Sequence, residues 1–305
     1  MAKKKSAKHI WQTRESGLTI PEGTVSDLSV SSSQTYLQIK EEAIAVEELY
    51  ATSNVPLPAT SDLAKLIADA KALSDAWLLG KADNLPMTVL FRVGLLDRVT
   101  AAVLPLRDVQ DRSKFLSALA SGGLDLLDRK RSAAKDVLWE LELWSILKRR
   151  SFNAHLKEPP DIVVKLEDSE IGIACKKLYS ERHVQNVLSQ AVAQIESKFD
   201  FGIVAISIDD LLPPNQILRT PTHETLGQYI SDLNARFLRS HERHFRKYLG
   251  SGRLISAFIS TSTLADVYRD TTRFNNARQS TVWTIPGLSA EKERALRGFY
   301  DQLMG

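Results

Sequence analysis

Asp161 and Lys176 stand at the outer ends of two short apolar runs, and together they could handle a phosphate and a metal ion. The stretch Pro160-Asp161-Ile-Val-Val-Lys-Leu-Glu-Asp-Ser-Glu-Ile-Gly-Ile-Ala174-Cys175-Lys176 reads as strand, polar turn, strand. A hairpin brings its first and last residues side by side. An acid opening the first strand therefore meets a lysine closing the second. Such a carboxylate can hold a divalent cation, and the ammonium can orient or deprotonate a water and steady phosphate charge. Side chains alternate along a strand, so Glu170, Gly172, Ala174 and Lys176 share one face and Ile171, Ile173 and Cys175 share the other, core-facing one. Cys175 is then a small buried hydrophobe, not a nucleophile.

The segment just before, Asp136 to Arg150, has helical spacing. At 100° per residue, Val137, Glu140, Leu143, Trp144 and Leu147 fall within an arc of about 120°. Glu140 lies inside that apolar stripe, which is costly for a carboxylate unless it binds a cation or is hydrogen-bonded. Glu142 falls on the other side, beside Ser145 and Arg149, where a solvated salt bridge is easy. Trp139 and Trp144 sit among leucines and belong to the core.

A metal site built on Asp161 and Glu140 wants a further acid two residues before Lys176, and Ala174 stands there instead. Glu170 shares the face but lies roughly 13 Å away along the strand at about 3.3 Å per residue. That gap is too long for a magnesium–oxygen bond of about 2.1 Å. Glu167 and Asp168, in the turn, are no nearer. What remains for Mg²⁺ (or Mn²⁺) is Asp161, Glu140 and the Cys175 carbonyl, with water filling in.

These elements sit in a larger pattern. Residues 1–33 are polar, with Lys3, Lys4, Lys5 and Lys8 at the start and serines over 29–33, and read as a flexible basic arm. Residues 34–131 carry helical spacing over 36–51, 61–79, 86–104 and 109–127, an all-helical N-terminal domain. From 132 to 305 helices and strands alternate: helix 133–150, strands near 154–156, 161–166 and 170–177, helix 181–198, strand 201–208, helix 223–249, strands 254–261 and 281–285, helix 289–303. Strand–helix–strand through 171–208 requires a parallel pair with a crossover helix. The result is an α/β domain with a mixed β-sheet flanked by helices.

The order Glu140, Pro160-Asp161, Ile-Gly-Ile-Ala174-Cys175-Lys176, then a helix with Gln190 and Gln194 and the apolar strand Gly202 to Ile208, resembles the PD-(D/E)xK nuclease superfamily, the restriction-endonuclease-like fold. The resemblance covers about residues 133–210. It implies a restriction-endonuclease-like core and hydrolysis of phosphodiester bonds, in DNA, with Mg²⁺. Asp161, Glu140 and position 174 would hold the ion, Lys176 would assist the attacking water, and Gln190 would line the cleft. It also implies a role in defence against foreign DNA. Ala174 departs from the pattern. The expectation is a nuclease inactivated by a Glu-to-Ala replacement at 174; the alternative is a nuclease-like scaffold that binds nucleic acid or assembles with partners without cutting.

Further along, Arg236, Arg239, Arg243 and Arg246 form a basic stripe on one helix, apart from the apolar face begun by Leu226, Ile230, Leu233 and Phe237. A guanidinium row can track a phosphate backbone, though solvation with partners such as Glu242 is an equal alternative. A net charge of +3 permits nucleic-acid binding without demanding it. His241-Glu-Arg-His244 lacks the zinc-protease spacing, and no GxxxxGK[ST] loop is present. One cysteine excludes an internal disulfide. Met87 to Leu106 is broken by Arg92, Asp97, Arg98 and Pro105, so no membrane span is expected, and a soluble cytoplasmic protein is. The helical domain is the expected surface for a homodimer or a partner protein.

Overall fold

The computed structural model describes residues 11–13, 19–21, 35–270 and 274–304. Of the expected arm, Trp11–Thr13 (β1) and Thr19–Pro21 (β2) pair antiparallel. The arm is thus not wholly without secondary structure; the rest of it, with its lysines, lies outside the described residues.

Hydroxyl caps start the main helices. Thr35 and Gln38 close a capping box on Tyr36–Thr52 (α1), and Ser61 accepts from the Ala64 N–H to open Asp62–Leu78 (α2). The expected helix 86–104 is broken into Met87–Gly94 (α3) and Leu96–Val103 (α4), and Pro105 turns the chain into a short 3₁₀ segment. Arg112–Ser121 (α5) is shorter than the periodic run that suggested it. Among the described residues no helix is long and apolar enough to cross a membrane.

Ala133–Arg149 (α6) lies between these helices and the sheet. Trp139 donates its indole N–H to the Ala205 carbonyl and Trp144 donates to Ala154, pinning the helix across the strands. One continuous apolar cluster runs from Ile39 and Leu63 through Leu138 and Leu147 to Ile173, Phe258 and Leu303.

The sheet is mixed. Asn153–Leu156 (β3), Ile162–Lys165 (β4) and Glu170–Lys177 (β5) form an antiparallel meander. Val184–Ile195 (α7) crosses over to Phe201–Ser207 (β6), which runs parallel to β5. Leu218–Thr220 (β7), a strand not expected from the sequence, precedes His223–Gly250 (α8). Ser256–Val267 (β8) pairs in turn with β6 and β7, and Phe274–Trp283 (β9) pairs antiparallel with β8. Both last strands are longer than their apolar runs, because buried Ser, Thr, Asn and Gln residues continue them. Ala290–Met304 (α9) ends the described chain.

Helices cover both faces of the sheet, so the face carrying Gly172 and Ala174 is a second core and not a free surface. Gly172 pairs with Gly202 across β5 and β6. A Cβ at Gly202 would lie 2.6 Å from Ile195 Cγ2, and one at Gly172 would lie 2.9 Å from the Phe199 ring. The two glycines form a flat spot on which the end of α7 rests. Overpacking of this kind costs about 1–3 kcal/mol. We expect Gly202→Ala to lower the unfolding free energy by about that amount in urea titration; an unchanged midpoint would mean that α7 does not depend on this close approach.

Candidate active site

The site begins where β4 ends and β5 goes on. The ladder's last pair is Ile162 opposite Ile173. Before Ile162 the chain turns away, with Lys157 donating to the Asp161 carbonyl at 3.0 Å. The next β5 N–H on that side, Cys175, therefore has no strand partner. The Asp161 carboxylate takes its place: Oδ2 accepts from Cys175 N–H at 2.5 Å. That bond fixes the acid at the notch. Lys176 Nζ lies 3.8 Å from the same oxygen, with both side chains mostly buried.

Glu140 reaches this notch from α6. It is 7% exposed, and its Oε1 is buried with no hydrogen-bond partner. Burial, then the negative charges of Asp161 and Glu158, push its carboxyl up to about 8, and Lys114 and Lys176 only partly oppose this. Burial also raises Asp161, against Lys176 and the Cys175 N–H. The Cys175 thiol is free but buried and pushed well up, so it offers no nucleophile. The sequence reading placed Asp161, Glu140, Cys175 and Lys176 together; the structure joins Asp161 to Cys175 and Lys176, and sets Glu140 within reach of their charges without a bond to them.

Asp161 and Glu140 are near enough for their charges to act on each other, and one Glu140 oxygen is buried without a partner. Among the described residues no three His, Cys, Asp or Glu side chains gather to hold an ion by themselves. An ion such as Mg²⁺, which takes one or two carboxylates and keeps several waters, is the kind the sequence reading expects here. Asp161, Glu140 and the Cys175 carbonyl are the groups available to it.

The other sequence candidates stand elsewhere. Ala174 is fully buried in the apolar cluster of Leu178, Val184, Leu188 and Val204. A longer acidic side chain there would start inside that core, contrary to the expectation of an open face. Glu142 is not solvated either. It is 3% exposed. Arg98 grips it at 2.8 and 3.1 Å, and Arg278 at 2.6 Å. Burial alone would raise its carboxyl, but Arg278 and Arg98 outweigh that and hold it below the usual range. The reason is that α6 is covered on both sides, so its polar face is also interior. Gln190 is exposed on α7, with no hydrogen bond to Asp161, Lys176 or Glu140. On α8, Arg236, Arg239 and Arg243 are exposed, whereas Arg246 is half-buried and bonded to Glu242. His241 bonds to Glu181 at 2.9 Å.

The sequence reading missed a buried charge network beside Glu142. Asp209 accepts from Arg98 at 2.8 Å and from the Ser262 N–H at 2.7 Å. Lys177 joins it to Asp210, 2.8 Å away, and Lys135 also approaches Asp210 at 3.5 Å. Burial pushes Asp209 upward, but Lys177, Arg98 and Arg278 hold it well below the usual carboxylate range. Two aspartates just beyond a fully buried strand were the available signal.

Comparison of the chain with protein-family models, with curated proteins and with solved structures finds no match in any of the three.

Glu140 makes stability depend on pH. Unfolded, it ionises near 4.5; folded, near 8. Between those values the folded state binds more protons, so its stability falls as pH rises through the window. Glu140→Gln should remove that slope. The variant is expected to match the parent near pH 4 and to exceed it at pH 8 by a few kcal/mol, because each pH unit across the window is worth about 1.4 kcal/mol. Urea titrations at both pH values check this; equal slopes would mean that Glu140 is not held neutral.

Proposed function

We propose that this chain is a metal-dependent nuclease on a restriction-endonuclease-like core, acting on DNA. We place its second acid on α6 as Glu140, with none at position 174. One observation carries the reading: the Glu140 carboxyl, with its buried orphan oxygen, is close enough to feel the charges of Asp161 and Lys176, which pair where β4 leaves β5. Buried acids shifted in this way cluster at functional sites. The meander, crossover helix and parallel strand that carry these residues support the same core.

Each residue then has a task. The Cys175 N–H keeps Asp161 aimed into the notch. Glu140, held toward its protonated form by burial and Asp161, would hold a divalent cation as its carboxylate. Lys176, beside Asp161, holds the attacking water and faces charge growing on the phosphate. Hydrolysis joins the water oxygen to phosphorus as the water loses a proton to solvent, and breaks the bond to the leaving oxygen, which takes up a proton. A bound Mg²⁺ or Mn²⁺ would supply Lewis acidity and a more acidic water. Arg236, Arg239 and Arg243, exposed along α8, are the proposed phosphate-tracking row.

The test is nicking of supercoiled plasmid by the chain as it stands, with Mn²⁺ and with Mg²⁺. Metal-dependent nicking, lost in both Asp161→Asn and Glu140→Gln, is the expected result. No cutting by the chain, with cutting gained in Ala174→Glu, would instead support the inactivated nuclease read from the sequence. DNA binding without cutting in either would support the non-catalytic scaffold. Replacing Arg236 and Arg239 with Ala should reduce the slope of log affinity against log salt by about 0.9 per lost phosphate contact; an unchanged slope removes α8 from the interface.

Assembly through the helical segment has its own observation. Around the Tyr36–Trp77 ring contact, Leu37, Trp77, Leu78 and Leu79 are each more than half exposed. We propose this patch as a self-association surface. Sedimentation of the parent as a dimer, and of Leu78→Glu/Leu79→Glu as a monomer, is the expected outcome; a monomeric parent at all concentrations would dismiss it.

A further inference from the structure

A third acid lies near the notch of Asp161 and Lys176, and the nuclease reading does not use it. The loop 157–161 joins β3 to β4. Its ends are clamped, for Leu156 stands opposite Ile162 and the Lys157 N–H donates to the Asp161 carbonyl at 3.0 Å. Glu158 is therefore kept close to Asp161 by a short, closed loop. Its side chain is 63% exposed, and its Oε2 lies 3.6 Å from Lys114 Nζ. Lys114 belongs to α5, which packs on α6, the helix that bears Glu140. The Glu158 carboxylate is thus turned to the α6 side of the loop. Its negative charge reaches both Glu140 and Asp161, and the Lys114 charge reaches Glu140.

Three neighbouring acids are no site by themselves. The independent sign is Glu140 Oε1, an oxygen without a hydrogen-bond partner on a residue only 7% exposed. A buried acceptor left alone calls for a donor or a cation brought from outside. The two lysines near it are engaged elsewhere, Lys176 with Asp161 at 3.8 Å and Lys114 with Glu158.

We propose that Glu158 is a third carboxylate ligand of a divalent cation at this notch, and that Lys114 is its resting partner, which the cation displaces. The inference rests on the cation site of the proposed function and names how that site is completed and controlled. At rest Glu158 faces Lys114, and among the described residues no three such side chains gather to hold an ion. Rotation of the exposed Glu158 side chain would gather them. An exposed ion pair is weak, so a divalent charge can compete with Lys114 for the carboxylate. Asp161 is fixed by the Cys175 N–H and Glu140 by its helix, which leaves Glu158, on a loop, as the ligand able to move. It supplies the acid that position 174 does not hold. Mg²⁺ and Mn²⁺ accept carboxylate oxygens of this kind, with water in the remaining positions.

The experiment is calorimetric titration of the full chain with MnCl₂ at pH 8, repeated with MgCl₂. The parent should bind Mn²⁺ saturably. Glu158→Gln should weaken binding about tenfold or more. Glu158→Asp, which keeps the charge on a shorter stem, should also weaken it, because contact and not field is lost. Lys114→Gln should tighten it about two- to fivefold, the reach of a weak surface pair. Glu170→Gln, the same loss of charge at another exposed acid, should leave it unchanged. Glu158, Lys114 and Glu170 are exposed, so the metal-free melting temperatures should match the parent's. Parent affinity in Glu158→Gln or Glu158→Asp would overturn the proposal, and Mn²⁺ binding still lost in Asp161→Asn would then leave the cation site of the nuclease reading standing. An equal loss in Glu170→Gln would reduce the effect to net charge and overturn it too. Unaltered affinity in Lys114→Gln would overturn the part given to Lys114. No binding of either ion by the parent would overturn this inference and that cation site together.

Discussion

A carboxylate cannot stay charged and alone inside a protein, and α6 must bury two of them. The helix is covered by α4 and α5 on one side and by the sheet on the other. Glu140 and Glu142 stand two residues apart and so point to different neighbours. Glu142 meets Arg98 and Arg278 and stays ionised. Glu140 meets Asp161, a group of its own sign, and is pushed toward the neutral form. Desolvation is the largest influence on both, so the partner decides the outcome.

The two solutions serve different ends. The network of Glu142, Asp209, Arg98, Arg278 and Lys177 ties α4, α6 and the strands β5, β8 and β9 together. Removing one member would leave a buried charge unpaired, which costs about 3–5 kcal/mol in such sites. That linkage holds α6 in one position against the sheet. Glu140 is then held at the notch by the rest of the helix, with no bond of its own to keep it there. The strain of an unpaired acid is sustained because the fold around it is over-determined.

Much of this was legible in the sequence, and the exceptions have physical causes. Alternation and turn residues located β5 to its ends, and the crossover order required β5 and β6 to be parallel. Asp161 and Lys176 could be paired because a hairpin leaves few choices. The environment of Glu142 could not be read, since a 3.6-residue period shows which faces differ and not whether a distant segment covers the polar one. Arg98 and Arg278 lie 44 and 136 positions away in the chain (142−98 and 278−142) and carry no local sign of their partner. The same limit applies to β8 and β9. Hydrophobicity marks a strand poorly when its buried residues are Ser260, Thr261, Ser262, Gln279 and Ser280, held by hydrogen bonds such as those of Asn234.

Position 174 shows how the two levels interact. The resemblance read from the sequence expects an acid there, on the face of Lys176. In the packed molecule that face is closed by α7, whose end rests on Gly172 and Gly202 and whose Val184 and Leu188 cover Ala174. Glycine and alanine along this face allow the helix to sit close, and a long charged side chain among them would push it away or go unsolvated. Lys176 escapes because it lies one step from the strand's end, where its stem can leave the core and its ammonium can reach Asp161. Another carboxyl near this notch comes instead from outside the sheet, from Glu140 on α6, a helix fixed by its own buried ion pairs.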